Sequence, residues 1–190
     1  MEGSIIKKAF ITTIIISLIL SALEAIFIFL FRKFGEIEIR ILLTTLSIGA
    51  HSIAGLIFSI LYEKRKLLLF SISGLGITIF GFIINVLYIW KIVDGEFYYK
   101  TFLIFSIILF SSLHASLILL VKSEKNLVNI FKFFTIFMIS IVTIMLIILV
   151  LSISTDLNLG EWYYRILGVM AVLDGLGTIL TLIFSRFIKE

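Results

Sequence analysis

A chain of 190 residues that is 61% hydrophobic and 15% charged, with a mean hydropathy of +1.25, lies outside the soluble range, where about 45–50% of residues are apolar and about 25% charged. The excess sits in long apolar runs separated by short charged clusters, so the sequence is built for lipid rather than water. The formal charge of +4 calls for no nucleic-acid partner, because the basic residues border the apolar runs, and the absence of cysteine excludes disulfides, thiolate metal sites and cysteine nucleophiles.

Six apolar segments are expected to span the bilayer as helices, at residues 9–31, 41–62, 67–90, 101–121, 133–154 and 166–185. Each is close to the roughly 20 residues that a crossing requires. The predicted fold is all-α: a polytopic integral membrane protein, with residues 1–190 forming one domain, a six-helix transmembrane bundle. Short connections make sequential helices antiparallel neighbours. The chain contains no proline, which implies straight helices and argues against a transporter built on discontinuous ones. The first segment is about twice the length of a signal-peptide core and lacks a small-x-small cleavage site, so it reads as a span.

In chain order, the first segment carries Glu24 on a stripe with Ser17 and Ser21. The second, ILLTTLSIGAHSIAGLIFSILY, holds His51 near its midpoint among Ser47, Gly49, Ala50, Ser52, Ala54 and Gly55, and the rest of the chain reads as the bundle around it. Small neighbours let another helix come close enough to give the imidazole a polar partner. The third contains Gly74, Gly76 and Gly81 in SGLGITIFG, which lacks the G-K-[ST] of a phosphate loop and reads as close helix packing; Asn85 follows near its end. The fourth carries His114 within SSLHAS. In the connection after it, SEKNLVNIFKF, residues Leu127, Val128, Ile130 and Phe131 are expected to face lipid at the interface. The fifth segment has no ionisable residue and is expected to be a lipid-facing support. The sixth places Asp174 with Ala171, Gly177 and Thr178.

The even-numbered segments resemble one another. Arg40, Lys100 and Arg165 stand at their starts, each carries one ionisable residue among small ones (GAHSIAG, SSLHAS, LDGLGT), and each ends in a basic cluster. This is consistent with three helix-hairpin repeats.

Orientation follows from the basic residues. Lys7, Lys8, Lys64, Arg65, Lys66, Lys122, Lys125, Lys132, Arg186 and Lys189 fall on one side, and Arg32, Lys33, Arg40, Lys91, Lys100 and Arg165 on the other. The bias places both termini in the cytoplasm of a cell bounded by this (plasma) membrane. Trp90, Trp162, Tyr88, Tyr98, Tyr99, Tyr163 and Tyr164 gather at the opposite border as an aromatic belt, among the acids Glu36, Glu38, Asp94, Glu96, Asp156 and Glu161.

At about 1.5 Å per residue, His51 and Asp174 share a level near the bilayer centre, with Glu24 roughly 6 Å further out and His114 roughly 6 Å further in. A lone charge at that depth costs at least about 2.5–3.5 kcal/mol, so the four are expected to face one another as a buried polar strip, with Asn85 near its outer end and His51–Asp174 as the first pair. Such a strip suits proton-coupled or small-solute movement. The alternative is a structural or accessory subunit that docks a membrane partner or a second copy of itself. A haem-b redox protein ranks last, since the two histidines differ in depth by about four residues. No catalytic residues, metal ligands or cofactor are assigned: no nucleophile motif is present, and no ligand pair stands at i, i+3 or i, i+4.

Overall fold

Long runs of Ile, Leu and Phe uninterrupted by proline leave the backbone in lipid only its own carbonyls to pair with, and helices result. The computed structural model describes residues 2–31, 35–64, 67–93, 95–121, 126–153, 155 and 158–187. Six helices form: α1 (Glu2–Phe31), α2 (Glu36–Glu63), α3 (Leu68–Ile89), α4 (Glu96–Leu120), α5 (Asn126–Ser152) and α6 (Gly160–Phe187). All six are long and apolar enough to cross a membrane, and no strand occurs among the described residues. Arg32, Lys33, Arg65, Lys66, Lys122, Lys125 and Lys189, which enter the orientation count, lie outside the described residues, as do Asp94 and Asp156.

Except at α3, the helices overrun the apolar segments, for a local reason in three of them. Helices α2, α4 and α6 begin about a turn earlier than hydropathy alone suggests. In that extra turn Glu36 pairs with Arg40 (2.7 Å), Glu96 with Lys100 (2.9 Å) and Glu161 with Arg165 (3.3 Å). An acid in the first turn complements the helix dipole, and a base four residues later completes an i, i+4 pair, so the polar flank continues the helix. The connection 122–132 is also corrected: α5 starts by Asn126, so Leu127, Val128, Ile130 and Phe131 form its first turns. Leu127 and Ile130 are exposed, but Val128 is fully buried and Phe131 packs on Phe184 of α6, with ring centroids 5.1 Å apart.

The end of α3 shows how the chain stops a helix without proline. Lys91 takes a left-handed conformation (φ 50°), its N–H donates to the Tyr88 carbonyl, and the Ile92 N–H donates to the Leu87 carbonyl. These are the paired bonds of a Schellman cap. The cap aims Lys91 Nζ at Glu36, while Arg40 Nη1 reaches the Trp90 carbonyl (3.5 Å) and Trp90 Nε1 donates to Thr44 Oγ1 (3.1 Å). The Glu36 end of α2 is thereby tied to the Trp90 end of α3.

Two compact units divide the chain, Met1–Phe105 and Ser106–Glu190, with α4 contributing residues 96–105 to the first and 106–120 to the second. In the first, α1 packs closely on α2 and α2 on α3; in the second, α5 packs on α6. The interiors are built from small and hydroxylated residues. Ser17, Ser21, Ser47, Ser59, Ser71 and Thr78 are buried in the first unit, and Ser116, Thr135 and Thr181 in the second, while Leu69 (81% exposed), Phe110 (75%) and Phe133 (76%) stand outside. In water that arrangement is inverted. In lipid it is the expected one, because helices there associate through close approach of small side chains. The six helices thus fit a multi-pass membrane protein.

Three contacts carry the close approach. The Phe10 ring lies against Gly55, and the Phe58 ring covers Gly74 so closely that a Cβ there would enter it. At Gly177 of α6 a Cβ would stand 2.6 Å from Thr135 Oγ1 of α5. Of the expected glycine cluster, Gly74 and Gly81 are buried packing positions, whereas Gly76 has no neighbour among the described residues within 4 Å of a would-be Cβ. Helix α5 supports α6 specifically: besides the Thr135–Gly177 contact, Thr135 and Thr181 lie 3.4 Å apart and the Tyr163 hydroxyl donates to the Met145 carbonyl.

Candidate functional site

Most hydroxyls in these helices are satisfied without leaving their own helix. Ser59 donates to the Gly55 carbonyl, Thr78 to Gly74, Ser116 to Ser112, Thr135 to Phe131 and Thr181 to Gly177, all at 2.7–2.8 Å. A hydroxyl bonded four residues back costs little in lipid and carries no functional information. The informative groups are the polar side chains that reach across to a second helix. They form three clusters, two in the first unit and one in the second.

In the first unit Glu24 of α1 meets α2. Thr45 Oγ1 donates to Glu24 Oε2 (2.8 Å), and Ser21 Oγ donates to Thr45 Oγ1 (3.0 Å). Glu24 and Glu38 also line a pocket of about 370 Å³ whose other walls are Leu23, Phe27, Ile28 and Ile41. Sequence reasoning missed Thr45. The available signal was a hydroxyl on the antiparallel neighbour at nearly the depth of Glu24. Thr45→Val should lower stability by about 0.6–1.7 kcal/mol, the range of interhelical hydrogen bonds in membranes, as read from denaturant unfolding in mixed micelles.

Further along α2, His51 Nδ1 lies 2.8 Å from the Ser47 carbonyl and 3.3 Å from Ser47 Oγ, and Asn85 Nδ2 of α3 donates to Ser47 Oγ (2.7 Å). A carbonyl has no proton to give, so Nδ1 carries the hydrogen. Phe82 meets the imidazole edge-on, with centroids 5.5 Å apart and planes at 65°. Asn85 therefore belongs with His51 through Ser47.

In the second unit His114 of α4 meets α6. His114 Nε2 is 2.9 Å from Thr178 Oγ1, and Nδ1 is 3.6 Å from Asp174 Oδ2. Asp174 Oδ1 is buried and has no hydrogen-bond partner among the described residues. The sequence pointed to His51 as the first partner of Asp174; within the second unit, the imidazole beside Asp174 is that of His114. The physical reason lies in the length of the ring. His114 was expected one turn deeper than Asp174, and the residue one turn deeper on α6 is Thr178. The imidazole spans that turn with a nitrogen toward each, which removes the apparent mismatch in level.

The four ionisable groups are therefore distributed as Glu24 and His51 in one unit and His114 and Asp174 in the other. Chemically, the first unit holds a carboxyl fed by hydroxyls and, in a separate cluster, an imidazole with one committed nitrogen. The second holds an acid and a base within ionic range, with one acceptor to spare. No group of three metal-ligating side chains occurs among the described residues. Compared with known proteins, the chain matches no family model, no curated protein and no solved structure.

Proposed function

We propose that this chain is a non-enzymatic membrane protein, a single six-helix domain of the plasma membrane with both termini cytoplasmic, that moves protons or a proton-coupled small solute by way of its intramembrane polar side chains. The observation that carries the reading is the His114–Asp174–Thr178 cluster. An imidazole and a carboxyl stand 3.6 Å apart inside apolar spans, with one carboxyl oxygen buried and uncommitted. Imidazole is the side chain whose ordinary titration range brackets neutral pH, and ionisable groups at membrane depth mark ion and proton pathways more often than scaffolding. Glu24, His51 and Asn85 supply further polar positions for the same task.

The test is proton flux into liposomes that carry the purified protein and a trapped pH-sensitive dye, driven by an imposed membrane potential. Wild-type protein should acidify the lumen faster than empty liposomes do, and Asp174→Asn should slow that flux by about a hundredfold or more, the loss expected when one essential transfer group is removed. Wild-type flux no greater than that of empty liposomes would reject proton movement by the protein on its own, the form of the reading that the His114–Asp174 cluster carries.

A second reading, an accessory subunit that docks a membrane partner or another copy of itself, is favoured by one feature of α6. Gly168 and Gly175 are exposed there, with nothing among the described residues within 4 Å of a would-be Cβ. Exposed glycine weakens a helix by roughly 0.5–1 kcal/mol against alanine, and in lipid it finds its use where a second helix lies close.

A further inference from the structure

Thr178 is used differently from the neighbouring threonines of its unit. Thr135 and Thr181 donate to carbonyls of their own helices, whereas the hydrogen bond of Thr178 Oγ1 among the described residues is the one to His114 Nε2, at 2.9 Å. The other ring nitrogen, Nδ1, faces Asp174 Oδ2 at 3.6 Å. One imidazole is thus held between two groups a helical turn apart on α6, a hydroxyl at one nitrogen and a carboxyl at the other. Two arrangements of hydrogens fit this geometry, and they differ by one proton. In the first, the Thr178 hydroxyl donates to Nε2 and Nδ1–H points at an ionised Asp174. In the second, Nε2–H donates to Thr178 Oγ1, and Asp174, now a neutral acid, donates from Oδ2 to Nδ1. Changing from one to the other needs a group beside Nε2 that both gives and accepts a hydrogen bond. A hydroxyl does so by rotating, and its own hydrogen then turns to the Asp174 carbonyl four residues back.

We propose that His114 hands a proton across its ring to Asp174, and that Thr178 is the positioning residue that makes the handover possible. This deepens the transport reading above and rests on it for its purpose. A hydronium ion gives its proton to Nε2, the Nδ1–H bond breaks, and that hydrogen bonds to Oδ2. The ring is neutral before and after, and the carboxylate becomes an acid. Contact with Thr178 fixes the pivot: a swing of the ring about Nε2 brings Nδ1 from 3.6 Å into the range of roughly 2.6–3.2 Å in which protons pass. The carboxyl suits the receiving end. Its Oδ1 is enclosed and lacks a donor among the described residues, so an ionised Asp174 leaves one charged oxygen unsatisfied, and the incoming proton relieves it. Other charges stand off. Residues 133–152 of α5 include no ionisable side chain, and on α4 and α6 Glu96, Lys100, Glu161, Arg165 and Arg186 lie toward the helix ends. Lys132 of α5 bonds to the Val121 carbonyl, seven residues along the chain from His114, a rise of about 10 Å.

The experiment follows the ring nitrogens of full-length ¹⁵N-histidine-labelled protein in lipid nanodiscs by NMR from alkaline to acid pH, with His51→Leu assigning the signals. As the first proton is taken up, the hydrogen of His114 should move from Nδ1 to Nε2, with one ring hydrogen before and after. An imidazole outside such a relay gains a second hydrogen instead. In Thr178→Val the exchange should disappear, His114 keeping its hydrogen on Nδ1. Proton flux into liposomes should then fall about tenfold, the factor that one hydrogen bond is worth, and Thr178→Ser should restore both. The wild-type exchange is read without any variant and so does not depend on a substitution folding. A His114 that passes straight from one hydrogen to two, or that keeps one tautomer throughout, would overturn the proposal. So would a Thr178→Val protein that exchanges as wild type does. Exchange in wild-type protein whose flux is no greater than that of empty liposomes would uphold the handover and reject transport, whereas flux without exchange would do the reverse.

Discussion

His114→Leu should lower the free energy of unfolding by about 2.5–3.5 kcal/mol, the cost that a carboxyl meets at the centre of a membrane helix when no polar group faces it. The substitution strands Asp174 and not Thr178. Thr178 has the Asp174 carbonyl four residues behind it and can bond back along α6, as Thr135 and Thr181 do in their helices. Asp174 has no such recourse, because Oδ1 already lacks a partner and Oδ2 would lose its imidazole. The double variant His114→Leu/Asp174→Leu should recover most of the loss, since replacing both members of a buried pair with apolar groups is frequently neutral. Denaturant unfolding in mixed micelles, followed by circular dichroism, gives the three values. A double variant that folds like wild type but passes no protons would assign the pair to function. Equal, small effects of the single and the double substitution would mean that the cluster contributes nothing to stability.

Gly74→Ala should cost about 1–3 kcal/mol, although it adds a single methyl group to a membrane helix. The Phe58 ring is wholly buried, stands edge-on to Phe70 with centroids 6.0 Å apart, and occupies the space the new Cβ requires. Either α2 and α3 separate or the ring leaves its rotamer. Gly76→Ala, two residues away on the same helix, adds the same atom where nothing lies within 4 Å. It should be neutral, or stabilising by up to about 1 kcal/mol through helix propensity. Phe58→Leu combined with Gly74→Ala should cost less than the sum of the two singles, because the smaller side chain makes room for the new methyl and the methyl fills part of the space the ring leaves. Equal effects at Gly74 and Gly76 would contradict the packing described.

The spans were legible in the sequence because bilayer thickness imposes a length that composition reveals directly; all six helices lie where the apolar runs do. Their ends were not, since hydropathy ignores charged residues that continue a helix. Glu36, Glu96 and Glu161 announce the true starts through the base four residues later, a signal that a hydropathy profile discards. Within the site, the ionisable residues were visible because any titratable group in such a run is conspicuous. Their partners were less so. Thr45 looks like any membrane threonine, and its hydrogen bond to Glu24 depends on the rotation of α1 against α2. The His114–Asp174 pairing was hidden because counting residues locates Cα atoms, whereas an imidazole extends the reach by nearly a helical turn. Val128 was misplaced for a related reason: a charged segment was taken to end a helix that in fact contains it.

The three acid–base turns that open α2, α4 and α6 have a mechanical consequence. A membrane helix is free to slip along its axis, one turn of slip moving every side chain by about 5.4 Å. Here, sliding toward the hydrocarbon would drag a Glu and its Lys or Arg out of water together, so each pair acts as a stop that fixes how far its helix can sink. His51, His114 and Asp174 all ride on helices fitted with such a stop, and their heights are thereby set from the rim rather than by the contacts around them.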